Sequence, residues 1–111
     1  MPGRRAFQVR WTGAARRDLA GIVDHIAAES PDGAEAILAR LEQTARRLET
    51  LPARGRIIPE LKSQGIALYR ELICRPWRIA FRIERRDVWI MAVVDGRRNL
   101  EDLLLQRFLD D

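Results

Sequence analysis

The chain is expected to fold as an α+β domain in the order β-α-α-β-β-β-α, a helical hairpin packed on a small antiparallel sheet. Three observations predict this. Apolar and polar residues alternate at 7–11 and again at 77–83. Between these, two stretches carry apolar residues at helical spacing, split by a strong start signal. Residues 69–98 then read as three consecutive strands joined by two tight turns. A length of 111 residues fits one domain, 1–111, able to bury a core without metal or disulfide support.

Phe7, Val9 and Trp11 alternate with Gln8, Arg10 and Thr12, which gives a first strand with one buried face. Thr12 ends it and can accept the first free N–H groups of a helix over 14–28. Ala15, Leu19, Ile22, Val23 and Ile26 form that helix's apolar stripe. Ser30-Pro31-Asp32 then combines a cap, a first-turn proline and an acid at the positive helix end. The second helix carries Ala34, Ile37, Leu41, Ala45 and Leu48 and should run to about Thr50, where Leu51-Pro52 stops it. So short a connection forces an antiparallel helical pair.

Residues 52–67 hold two prolines and two glycines and no sustained period, which predicts a long loop. Strands follow at 69–74, 77–83 and 88–94. The last is apolar on both faces and should lie centrally or be covered. Asn99 caps a closing helix whose stripe is Leu100, Leu103, Leu104 and Phe108.

Net charge is +4, and Lys62 is the lone lysine among 20 basic residues. An arginine excess fits carboxylate or phosphate recognition, and it also fits compositional bias alone. The bias is local: residues 69–98 hold 8 basic and 4 acidic groups, whereas 99–111 hold 1 and 4. The longest apolar run is too short to span a membrane, and no signal-peptide pattern is present, so a cytoplasmic protein is expected.

Most catalytic constellations are missing from the sequence. One histidine, His25, and one cysteine, Cys74, exclude the usual His/Cys zinc sites and read as structural residues. No metal or cofactor is expected, since no phosphate-cradling glycine loop occurs. What remains is arginine. Arg78 and Arg82 share a strand face, Arg70 lies on a neighbouring strand, Arg97-Arg98 follow the last strand, and Arg54 and Arg56 sit in the loop. Three readings of this face are open: a solvated face paired with Glu71, Glu84 and nearby acids, a protein contact, or an RNA contact.

The ordered segments FQVRWT, GAARRDLAGIVDHIA, SPDGAEAILARLEQTARRLETLP, ARGRIIPEL, YRELICRPWRIAFRI and VWIMAVVDGRRNLEDLL carry a family resemblance. Together they resemble the RelE/ParE superfamily of bacterial type II toxins, on the ParE side, over nearly the whole chain. The resemblance implies a cognate antitoxin, ParD-like and often of ribbon-helix-helix type. Its C-terminal segment would fold across the toxin, and operator DNA would be met only through it. RelE-like relatives cleave mRNA on the ribosome with basic residues and often a His or Tyr. ParE-like relatives are DNA gyrase poisons without that set. This chain has Asp95 where many relatives place His, and RFLDD at its end holds neither His nor Tyr. Arginine stays protonated and is a poor base.

The expectation is therefore a ParE-like inhibitor, with target contact through Arg78, Arg82, Arg97 and Arg98. Antitoxin contact is expected at exposed apolar groups and the sheet edge, through Leu19, Ile22, Leu41, Leu48, Tyr69 and Trp77. The alternatives are a ribosome-dependent endoribonuclease using Arg54, Arg56, Arg78 and Arg82, or a non-toxic member that only binds an antitoxin.

Overall fold

The computed structural model describes residues 7–110, with side chains through Arg107. Phe108, expected on the last helix's stripe, lies outside the described side chains. The elements are β1 (Gln8–Trp11), α1 (Gly13–Ala27), α2 (Pro31–Arg46), β2 (Arg56–Ile57), α3 (Pro59–Lys62), β3 (Tyr69–Cys74), β4 (Trp77–Glu84), β5 (Asp87–Asp95) and α4 (Leu100–Asp110). Two short 3-10 turns, Arg47–Glu49 and Pro52–Arg54, lie between α2 and β2.

Both long helices start as their caps dictate. The Thr12 hydroxyl accepts from Ala15 N at 3.1 Å, and the Ser30 hydroxyl accepts from Gly33 N at 3.0 Å. Thr12 also donates to the Ile90 carbonyl at 3.0 Å, which fastens the start of α1 to β5. The α-helical part of α2 stops at Arg46, and the chain tightens into a 3-10 turn to Glu49 before Leu51 enters the left-handed region at φ 33°.

The sheet runs β1-β5-β4-β3-β2. Its last four strands are antiparallel, and β1 joins β5 in parallel, with Val9 opposite Val88. A bulge at Ala80/Phe81 inserts Met91 into β5. The β4–β5 hairpin turns through Arg85 at φ 59°. One face of the sheet (Ile79, Phe81, Val88, Ile90, Val93) packs on Ala15, Leu41, Ala45 and Leu48 of the helical hairpin. The other (Tyr69, Ala80, Met91, Ala92, Val94) is covered by Ile58 and Leu61 and by Leu100 and Leu104 of α4. β5 is thus both central and covered, as its unbroken apolar run requires.

The loop expected over 52–67 is instead largely ordered structure. β2 is two residues long and pairs Arg56 with Glu71, and α3 is a single turn opened by Pro59. Neither is long enough to show a period. Arg70 pins this segment by donating to the Ala53 and Gly55 carbonyls at 3.1 and 2.8 Å. A Cβ on Gly55 would meet Phe81 Cζ at 2.6 Å and the Glu71 carbonyl oxygen at 3.0 Å. Phe81 is fully buried and cannot retreat. Gly55→Ala is therefore expected to cost about 1–3 kcal/mol, read as a lower urea midpoint.

Beyond Trp11, β1 no longer covers β5, and side chains take its place. Asp18 accepts from Val93 N at 2.9 Å, and Arg107 donates to the Met91 carbonyl at 2.8 Å. Arg107 also grips both Asp18 oxygens, at 2.6 and 2.9 Å. This closes one sheet edge and fastens α4 to α1. At the opposite edge β2 pairs only with Arg70 and Glu71, so β3 beyond Glu71 meets no further strand among the described residues.

Candidate functional site

The centre of the arginine-rich region is an ion-pair cage. Arg78 of β4 is 6% exposed. Its Nε donates to Glu71 Oε1 at 2.6 Å, and its terminal nitrogens grip both Glu60 oxygens at 2.7 and 2.8 Å. A longer bond, 3.3 Å, reaches the Arg98 carbonyl. The second Glu71 oxygen accepts from Arg56 Nε at 2.6 Å. Glu71, itself buried, is thus shared by two arginines from flanking strands. The cage joins β2, α3, β3, β4 and the β5–α4 connection.

The cage sets its own protonation. The hydrogen bond and charge of Arg78 hold the Glu60 carboxyl down from 4.5 to about 2, against the opposing effect of burial. Glu60, with Glu71 behind it, pushes the Arg78 guanidinium further up. A carboxyl depressed on folding stabilises the fold above its unfolded value and loses that contribution as pH falls through the folded value. Stability should therefore fall between pH 4.5 and about 2. With allowance for solvent screening, Glu60 accounts for on the order of 2 kcal/mol of that fall. Thermal melting across this range, repeated with Glu60→Gln, is expected to show a shallower slope in the variant.

The cage floors an open cleft of about 760 Å³, lined by Arg56, Glu60, Ile73, Arg75, Pro76, Trp77, Arg78, Asp95, Gly96 and Arg97. Gly96 is needed at its rim, because its N–H donates to the Pro76 carbonyl at 2.7 Å and a Cβ there would meet that oxygen at 2.9 Å. Asp95 accepts from the backbone N–H and Nε of Arg97 at 2.9 and 3.1 Å. The hydrogen bonds from Arg97 lower the Asp95 carboxyl and raise the guanidinium in turn. A second cleft of about 470 Å³ runs along α1, lined by Arg17, Ile22, His25, Ile26, Val93, Arg98 and others. It shares Trp77 and Asp95 with the first.

Several expected site residues occupy other places. Arg78 is locked among carboxylates and presents no free face for a target. Leu41, Leu48 and Tyr69 are at most 2% exposed, because each faces the sheet core, so they offer no contact surface. Leu19, Ile22 and Trp77 pack on the core while staying part-exposed. Arg82 is set apart from the cleft, opposite Tyr69 and Trp89 in register, with a buried Nε that has no hydrogen-bond partner among the described residues and a 3.7 Å ion pair to Glu84. Arg54 is exposed and lines neither cleft, Arg97 lines the first and Arg98 the second.

Sequence reading missed three features. Glu60 and Arg75 belong to the site, and His25 is exposed beside a cleft rather than holding the core together. The His25 side chain makes no hydrogen bond to another described residue, and the Asp95 carboxylate is already engaged by Arg97. The cleft therefore holds cations and an apolar wall without an oriented proton carrier. Among the described residues no cluster of metal-ligating side chains occurs, and no helix is long and apolar enough to cross a membrane.

A helical hairpin on one face of a five-stranded sheet, with a closing helix on the other, is the fold of a solved toxin–antitoxin component. The structure "Chromosomal ParDE TA system from P. aeruginosa" matches with a TM-score of 0.70, over 82% of this chain and 97% of that one. Identity is 20%, so that likeness is one of fold. The family follows from sequence: the model of the ParE toxin of type II toxin-antitoxin systems (parDE) matches residues 9–100, and the chain belongs to this family. Toxin ParE3 of Caulobacter vibrioides is 36% identical over 67 residues, which is 60% of this chain. The match spans 63% of that curated relative's length.

Proposed function

We propose that the chain is the toxin of a type II toxin–antitoxin pair, acts in the cytoplasm by binding a protein target, and is silenced by a ParD-like antitoxin. The observation that carries the binding reading is the cage. Arg78, one of the arginines a nuclease would need, is neutralised by Glu60 and Glu71, and the His25 side chain, in the second cleft, has no hydrogen-bond partner among the described residues. Family membership supports DNA gyrase as the target.

For the antitoxin, the surfaces that fit are the part-exposed Leu19, Ile22 and Trp77 and the open β3 edge at Ile73, which is 43% exposed. The opposite edge is closed by Asp18 and Arg107. An unpaired strand edge accepts an extended partner through main-chain hydrogen bonds. Inducible expression of the chain alone should arrest bacterial growth, and co-expression of the antitoxin should restore it. Harmless expression across several hosts would count against a toxin.

A further inference from the structure

The first cleft has a composition that the cage alone does not explain. Three of its arginines, Arg56, Arg75 and Arg97, are exposed. Its carboxylates are all engaged from within: both Glu60 oxygens by Arg78, Glu71 by Arg78 and Arg56, and Asp95 by Arg97. The Arg56 terminal nitrogens and the whole Arg75 guanidinium have no partner among the described residues. Two of the three guanidinium groups are also held in place from behind. Glu71, fixed by Arg78, positions Arg56 through its Nε, and Asp95 engages the Nε, Nη2 and backbone N–H of Arg97, leaving that guanidinium its Nη1 for a ligand. Arginine donors held this way lose less side-chain entropy on binding. Between them lies an apolar wall of Ile73, Pro76 and Trp77.

We propose that this cleft is the target-docking site, and that its occupant is an acidic peptide loop of the target protein with a large apolar residue at its centre. The inference rests on the toxin reading above and adds the site and the chemistry of what it grips. Carboxylates of the loop would meet the free nitrogens of Arg56, Arg75 and Arg97, and the apolar side chain would lie against Trp77. Arg and Trp at the centre of a concave surface form the pairing that concentrates binding energy at interfaces. A nucleic acid fits less well. Its continuous phosphate chain would run beside Glu60 and Asp95, which line the same cleft, whereas single carboxylates can reach the arginines between them.

The test uses the full chain and two readouts. In the first, a fluorescein-labelled peptide rich in Glu with central Leu and Phe is titrated with the chain and followed by anisotropy. A labelled oligothymidylate of equal charge is the comparison. The expected result is tighter binding of the peptide, weakened at least about tenfold in R75E/R97E. Tighter binding of the oligonucleotide, or peptide affinity unchanged in the variant, would overturn the proposal. In the second, growth arrest is compared for wild type, R75E/R97E and R46E/R47E, the last pair being exposed where α2 passes into the 3-10 turn, and neither lines the cleft. The cleft variant is expected to lose arrest at unchanged melting temperature, and the α2 variant to keep it. If the charge reversal lowers the melting temperature, R75A/R97A replaces it with the same expectation. Arrest by folded cleft variants equal to wild type overturns the docking site. A wild-type chain that never arrests growth overturns the toxin reading instead, and the peptide titration still decides the cleft.

Discussion

Replacing Glu71 with alanine is expected to cost about 3–5 kcal/mol of stability. Glu71 is 1% exposed and accepts from both Arg78 and Arg56 at 2.6 Å. Without it, Arg78 stays buried with only part of its charge compensated, and leaving a buried charge unpaired costs more than the pair contributed. The double change Glu71→Leu with Arg78→Met removes both charges. It should recover more than half of the loss, because Glu60 is part-exposed and can turn to water. Urea denaturation of the two variants measures this directly. A single-variant cost below about 1 kcal/mol would mean that the cage is not a structural centre.

Asp18→Ala is the second large effect, expected at about 2–4 kcal/mol. One carboxylate here serves two purposes: it accepts the Val93 N–H that β1 is too short to reach, and it holds Arg107 of α4. The pair is 16% exposed on each side, so the loss leaves a backbone donor and a guanidinium short of partners. The effect should be local before it is global. Hydrogen exchange at Val93 and along the last turns of α4 should accelerate more than exchange at Ile79, whose strand β4 stays paired on both sides. Equal acceleration throughout would show that Asp18 acts on global stability alone.

The sequence spoke most clearly where physics is local. Thr12 and Ser30 cap their helices because a hydroxyl before an apolar-periodic run has few other places to go. Trp77, Ile79, Phe81 and Ile83 alternate because β4 lies between two differently covered faces. The parallel seating of β1 was not legible, since no short-range signal distinguishes the two directions for a four-residue strand. Nor was the structure within 52–67, where a two-residue strand and a one-turn helix are shorter than any period. Pro59 followed by Glu60 was the one available start signal.

The site divides along the same line. Spacing placed Arg78 and Arg82 on one face, but their fates depend on partners 7 and 18 residues away from Arg78. The reading of a solvated face paired with Glu71 and Glu84 named the partners of Arg78 and Arg82, but Arg78 and Glu71 are buried rather than solvated. Burial also separates the apolar stripes of the two long helices. Leu41 and Leu48 point into the sheet while Leu19 and Ile22 keep an outer edge, a difference set by α1 lying against β5 and α2 against β3.

The central claim is that this arginine-rich surface binds and does not cut. End-mapping of transcripts in a reconstituted translation reaction, with the chain added in excess, tests it most directly. Full-length mRNA is expected, alongside accumulation of stalled gyrase–DNA complexes when gyrase and DNA are supplied. Codon-positioned cuts that disappear in Arg82→Ala would contradict the claim and make the chain a ribosome-dependent nuclease.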